Sequence, residues 1–307
     1  MIVISEQYKP FYAQKAKKID LTKNINLEGW WITNKYDGVG SIACCNDVTQ
    51  MYSISKAKVS GEFTNFSNKI PHIIEELNSL NYKGYLHGEI ISDNFETNEE
   101  NFGYVTGTLH ADDAIERQEN SGKLKYVIYD MPSHIGTYEE RYCALGDLFE
   151  NKADLKYVSL MPILGINHNN SWVSIFNSIV EAGDEGCILY NKENKYRLSD
   201  SSNLRNNGVL KCKASNEIEV LAVEKIEGTG KFKGTLGAIK CMDSEGRTFN
   251  CGSFNIDDSQ RNYIWNNVEV PCVVEIIYYQ KTKDSYKLPR MTRYRPDKDI
   301  NSWNRSD

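Results

Sequence analysis

The sequence predicts an α+β domain of packed antiparallel sheets with helices, followed by a smaller all-β domain. Three observations lead there. The 307 residues are more than one hydrophobic core usually organises, so the length favours two domains. Up to residue 213, short runs rich in β-branched and aromatic residues alternate with a few stretches of helical period. Beyond Lys213 the helical period fades and turn signals recur at Gly228, Gly234, Gly246 and Lys283-Asp284, the pattern of about five strands in a small barrel. The boundary falls near 213 to 216, giving domains 1–213 and 214–307.

Taken in order, Trp30-Trp31-Ile32 reads as a strand feeding Lys35-Tyr36-Asp37-Gly38, with Ser41 to Cys45 as the return strand. Ser67 is placed to cap a helix whose Ile70, Ile73, Ile74 and Leu77 share one face. Ser171 is placed to cap another, with Trp172, Ile175, Phe176 and Ile179 on its face and a stop near Gly183. Both faces are most simply core. Tyr85 to Ile91, Lys125 to Met131, Gly186 to Tyr190 and Val209 to Lys213 are four further strands. The chemistry-bearing residues thus lie on strands and their ends, which suits a pocket between two packed sheets.

Composition narrows the class. Hydrophobic residues make up 40% and charged residues 25%, as in soluble globular chains. No run of eighteen apolar residues exists, and the first ten lack the build of a signal peptide, so the expected location is cytoplasmic, with no membrane partner. The eight cysteines include no C-x-x-C pair and read as reduced core thiols; the five histidines show no metal-ligand spacing. The net charge of −6 argues mildly against nucleic acid, yet it is unevenly spread. Residues 1–210 carry 20 basic and 28 acidic side chains, whereas 211–307 carry 16 and 14. Lys225, Lys231, Lys233 and Lys240 fall together, as do Lys281, Lys283, Lys287, Arg290, Arg293 and Arg295. These are either solvated strand faces or a DNA-facing surface.

Lys35-Tyr36-Asp37-Gly38 alone fits a polar turn as well as a nucleophile. After it come, in order, His87-Gly88-Glu89-Ile90, Tyr126-Val127-Ile128-Tyr129-Asp130, Asp184-Glu185-Gly186-Cys187-Ile188-Leu189, Val209-Leu210-Lys211-Cys212-Lys213 and Arg295-Pro296-Asp297-Lys298. This ordered series resembles the nucleotidyltransferase motifs of ATP-dependent DNA ligases, a superfamily shared with RNA ligases and capping guanylyltransferases. The resemblance is nearest to the small viral or phage type, a nucleotidyltransferase (adenylation) domain followed by an OB-fold domain. Gly228 to Ile239 and Arg247 to Phe254 look like the first strands of a ligase OB fold.

The resemblance implies that Lys35 attacks the α-phosphate of ATP to form lysyl-AMP. The AMP then passes to the 5′-phosphate of nicked duplex DNA, and the 3′-hydroxyl displaces it, the chemistry of DNA repair, replication and recombination. Glu89 and Glu185 would hold Mg²⁺ or the ribose, and Tyr129 would face the purine, its alternative being a core tyrosine. Lys211 and Lys213 alternate along one strand, so both reach the same phosphate or both decorate an exposed face. Arg205, six residues before Lys211, would contact phosphate or nucleotide, as would Lys56. Arg295 and Lys298 would meet the pyrophosphate when the OB domain closes; a charged tail is the alternative. A monomer is expected.

Two positions depart from the pattern. Gly40 stands where relatives carry an arginine, and Lys56 stands where they carry a second, keeping the charge without the bidentate fork. These departures predict weakened handling of the nucleotide or 5′-phosphate. Without a latch-like insertion, nick binding should rest on basic surfaces and fall steeply with salt. An RNA ligase, a capping-type enzyme, and a nick- or nucleotide-binding module with impaired turnover are the competing readings.

Overall fold

The structure is a computed structural model that describes residues 9–19, 25–198, 201, 204–213, 216–254, 256–278, 280–281, 285–287 and 289–300. Lys283-Asp284 and the side chain of Lys287 lie outside the described residues. The chain divides into two compact units, Met1–Lys213 and Ala214–Asp307.

In the first unit, the strands are β1 (Lys15–Lys18), β2 (Trp31–Asn34), β3 (Val39–Cys45), β4 (Gln50–Lys56), β5 (Phe63–Asn65), β6 (Gly84–Ile91), β7 (Lys125–Asp130), β8 (Val158–Leu160), β9 (Ile163–Ile166), β10 (Gly186–Tyr190) and β11 (Arg205–Lys213). They form two sheets, ordered β1-β11-β10-β2-β9 and β5-β4-β3-β6-β7-β8. Pairing is antiparallel except for β1 with β11 and β7 with β8. The return strand expected after Lys35 is therefore not a partner of β2. The chain leaves one sheet at Asn34 and enters the other at Val39, so Lys35 to Gly38 form a crossing, not a hairpin turn.

Helices α1 (Pro71–Ser79), α2 (Asn98–His110), α3 (Ala114–Ser121), α4 (Tyr138–Phe149) and α5 (Trp172–Glu181) cover these sheets. Ile70, Ile73 and Leu77 are buried with Leu86, Ile90, Tyr126 and Ile128 in the main core. Ser67 caps no helix, however. It sits in a 3-10 turn and accepts a hydrogen bond from the Met51 amide, and α1 starts instead on Pro71, whose fixed φ suits a first turn. Ser171 likewise makes no side-chain cap; its hydroxyl accepts from the His168 amide. True capping boxes stand elsewhere, at Thr97 with Glu100 and Thr137 with Glu140.

The second unit has β12 (Asn216–Glu227), β13 (Leu236–Met242), β14 (Thr248–Cys251), β15 (Ser253–Phe254), β16 (Cys272–Tyr278), β17 (Gln280–Lys281), β18 (Tyr286–Lys287) and β19 (Arg290–Tyr294). Six of them form a sheet ordered β14-β13-β12-β16-β19-β15 around Val220, Ile239, Val274, Ile276 and Met291. Among its described residues this unit also carries an α-helix, α6 (Asp258–Asn267), which the run of strand and turn signals did not include. It buries Ile264 alone, too little for a hydrophobic period to show. Its Asp257–Gln260 capping box was the readable sign. Among the described residues no helix is long and apolar enough to cross a membrane.

Candidate active site

Strand register assembles the site. Asn34 of β2 pairs with Cys187 of β10, so the Lys35 amide donates to the Gly186 carbonyl at 2.9 Å. Gly186 in turn pairs with Lys213 of β11. Lys35, Glu185 and Lys213 thus come side by side at the ends of three adjacent strands, and the Glu185 carboxylate bridges the two ammonium groups, one on each oxygen. Gly186 has no room for a side chain, since a Cβ there would stand 2.2 Å from the Cys212 carbonyl oxygen at a φ of +139°.

The other sheet supplies Glu89, on β6 opposite Gly40 of β3. Gly38 brings the crossing against β6 so closely that a Cβ would lie 2.3 Å from the Ile90 carbonyl oxygen and 2.9 Å from Glu89 Cγ. The motif glycine is thus demanded by proximity, not by backbone twist. At Gly40 a Cβ would meet the Ile54 Cδ1 methyl at 2.8 Å.

Between these elements lies a cavity of about 250 Å³, whose walls include Lys35, Glu89, Tyr129, Ile188, Arg205 and Lys211. Burial lowers the Lys35 pKa, partly offset by the nearby negative charges of Glu89 and Asp37. Burial pushes the Glu89 carboxyl up to about 7, with Lys35 opposing and Asp37 adding to the rise. The two groups therefore approach each other on the pH scale, as expected where charge is confined away from water.

Deeper in, His87 sits buried between two phenols, with Tyr129 Oη 3.0 Å from Nε2 and Tyr196 Oη 3.0 Å from Nδ1. Burial holds its imidazole neutral by lowering its pKa to about 3. A neutral ring donates from one nitrogen and accepts at the other, so it fixes both tyrosines. Next to Tyr129, Asp130 and Arg141 form a wholly buried two-pronged pair at 2.5 and 3.1 Å, and Arg141 also donates to the Gly136 and Asn194 carbonyls.

Not every expected residue joins this group. Lys56 is exposed, 5.8 Å from the centre of the Phe63 ring, and is not among the residues lining the cavity. Arg295 and Lys298 belong to the second unit, where Arg295 is bound to Glu219 and Asp297 and Lys298 lies 3.4 Å from Glu219. Conversely, the expectations passed over Lys15, which lines the cavity, and the roles of His87, Tyr196 and Arg141. Lys15 had a sign in the basic run Lys15 to Lys18; a buried arginine bound to Asp130 had none. Among the described residues, no cluster of three or more His, Cys, Asp or Glu side chains is arranged to hold a metal ion.

Comparison with known proteins matches residues 10–213 to the ATP dependent DNA ligase domain and residues 227–295 to the DNA ligase OB-like domain. The chain belongs to the ATP-dependent DNA ligase family. A DNA ligase of Haemophilus influenzae is 24% identical to this ligase-family chain over 148 residues, 45% of the chain and 49% of that protein. The chain thus spans about half the length of that curated relative. A solved structure from work on Lig E DNA ligases superposes with a TM-score of 0.68 at 19% identity, covering 92% of this chain and 98% of the other. One named Pmar-Lig_Pre does so with a TM-score of 0.74 at 23% identity, covering 94% and 68%. These likenesses establish the fold: a nucleotidyltransferase domain followed by an OB-fold domain.

Proposed function

We propose that this ligase-family chain is an ATP-dependent DNA ligase that seals nicks in duplex DNA through a lysyl-AMP intermediate on Lys35. The observation that carries the reading is the placing of Lys35 at the cavity wall, mostly withdrawn from water and held by Glu185. In the resting site Lys35 is an ammonium ion on a carboxylate. Attack on the α-phosphate requires loss of that proton, which its lowered pKa eases. The Nζ–P bond forms as the bond to pyrophosphate breaks, and the cations on β11 stabilise the phosphate charge.

Tyr129, its ring fixed by His87, and Ile188 offer flat and aliphatic walls for the purine. Arg205 and Lys211 face the phosphates from the same cavity, and Lys213 holds Glu185 in place. We assign lesser parts in nucleotide handling to Lys56, Arg295 and Lys298. Mg²⁺ fits in a limited form, because this ion commonly takes only one or two carboxylates and leaves its other positions to phosphate and water. Glu89, and Glu185 once freed of a lysine, are the oxygen donors for it. Bound there, Mg²⁺ would neutralise phosphate charge. The reading places a monomer in the cytoplasm.

The test is to incubate the protein with ATP, GTP or NAD⁺ plus Mg²⁺ and weigh it. AMP added from ATP alone, and lost in Lys35→Ala, is expected. Labelling that persists in the variant would displace Lys35; labelling by GTP would revive the capping-type alternative.

A further inference from the structure

We propose that Lys15, with Arg205 and Lys211, forms a phosphate-binding cluster on one wall of the cavity, with Lys15 a ligand-contacting residue. The proposal deepens the ligase reading and rests on it. Its first support is the path of the segment before β1. The Ala13 amide donates to the Ile54 carbonyl of β4 at 3.3 Å, and two residues later the Lys15 amide donates to the Leu204 carbonyl at 3.1 Å. This segment therefore links β4 of one sheet to the residue leading into β11 of the other, and Gln14, Lys15 and Ala16 line the cavity. Beyond it, β1 runs parallel to β11, with Lys15 opposite Arg205 and Lys18 opposite Lys211.

The second support is charge without a counter-charge. Lys15, Arg205 and Lys211 all line the cavity, and none of the three has an ion pair with a carboxylate among the described residues. Among the described residues, the Arg205 guanidinium donates to the Ala16 carbonyl alone, at 3.4 Å. Of the nearby carboxylates, Glu185 bridges Lys35 and Lys213, Asp130 is bound to Arg141, and Glu89, on the same cavity wall, feels Lys35 and Lys213 as its nearest cations. Burial lowers the pKa of Lys15 and of Lys211, and after burial the Arg205 charge is the next cause for each. Like charges gathered in a partly dry cleft attract an anion. With Lys35 on the same walls, the anion suited to this cluster is a phosphate group beside the nucleophile.

That phosphate has two sources, the outer phosphates of the nucleotide or the 5′-phosphate of the DNA. Inorganic pyrophosphate is the direct probe, read as a rise in melting temperature. Lys15→Ala should need roughly five- to tenfold more pyrophosphate for the same rise, the scale of one lost charge-assisted hydrogen bond. Lys15→Arg should behave like wild type. Lys17→Ala, whose native ammonium donates to Asn207 at 3.1 Å, should also be unchanged. Lys15→Met keeps most of the aliphatic stem should the alanine variant fold poorly. An unaltered pyrophosphate response in both neutral variants, or none in wild type, overturns the proposal.

Two further arms separate the sources. A higher ATP requirement for Lys35 labelling, with normal sealing of a nick whose 5′-phosphate is already adenylated, assigns the cluster to the nucleotide. The reverse assigns it to DNA, and no change in either arm counts against the cluster. A wild-type protein that never carries AMP on Lys35 sinks the ligase reading instead, while the pyrophosphate response still decides the fate of Lys15.

Discussion

Replacing Arg141 with methionine tests the buried scaffold behind the purine wall. The guanidinium is fully buried and Asp130 nearly so, and four hydrogen bonds run from the arginine to Asp130, Gly136 and Asn194. Removing one partner of such a pair leaves an uncompensated buried charge, costing about 3–5 kcal/mol. For a unit of this size that is a fall in melting temperature of roughly 6–20 °C.

The pH dependence follows from Asp130. Burial holds its carboxyl above the usual value of 3.8 even with Arg141 opposing, so without Arg141 it must climb further. A group whose folded pKa is raised stabilises the fold below its unfolded pKa and loses that contribution as pH rises through the folded value. The Arg141→Met deficit should thus widen from pH 5 to pH 8. Urea unfolding at several pH values, with Asp130→Asn/Arg141→Met closing the cycle, measures it, and the double variant should recover part of the loss. A single-variant cost under about 1 kcal/mol, or one independent of pH, would refute the reasoning.

The other predictions concern the site itself. Lys35 labelling should accelerate as pH rises through about 7, where Glu89 ionises, and Glu89→Gln should remove that inflection; a retained one points elsewhere. The same raised pKa means that Glu89 stabilises the fold below about 4.5 and loses this contribution by about 7, so Glu89→Gln should melt higher than wild type at pH 8 but not at pH 4. His87→Phe strips both tyrosine hydroxyls of a partner and should raise the ATP needed for half-maximal labelling about tenfold with a normal plateau, consistent with a loss of 1–3 kcal/mol. An unchanged ATP dependence would remove His87 as a positioning residue. Gly40→Arg meets Ile54, so Gly40→Arg/Ile54→Ala should seal nicked DNA faster than wild type and faster than the single variant; no gain from the pair dismisses Gly40 as a handicap.

The strands carrying the motifs were readable because each is a short run of apolar, β-branched and aromatic residues. β6, β7 and β10 therefore came out within a residue or so, whereas β11 starts four residues earlier, at Arg205, because Asn206 and Asn207 hide its beginning. Pairing was less readable. Nothing local tells that β2 and β3 belong to different sheets, since that depends on residues far along the chain, such as Gly186, whose carbonyl accepts from the Lys35 amide. The serine caps were misread because a hydroxyl accepts from whichever amide is near, and Ser67 found Met51. Of the expected site, Lys35, Glu89, Tyr129, Arg205 and Lys211 meet at one cavity, but the neutral histidine between two tyrosines exists only after folding.

The crossing at Gly38 has a mechanical consequence. Because bare backbone there abuts the Ile90 carbonyl, it acts as a gauge block that sets how closely the end of the crossing seats against β6 beside Glu89. Even one methyl group at residue 38 would push the crossing off β6 and displace the Glu89 side chain it touches. The start of β3 and the carboxylate opposite it are thus positioned by one missing side chain.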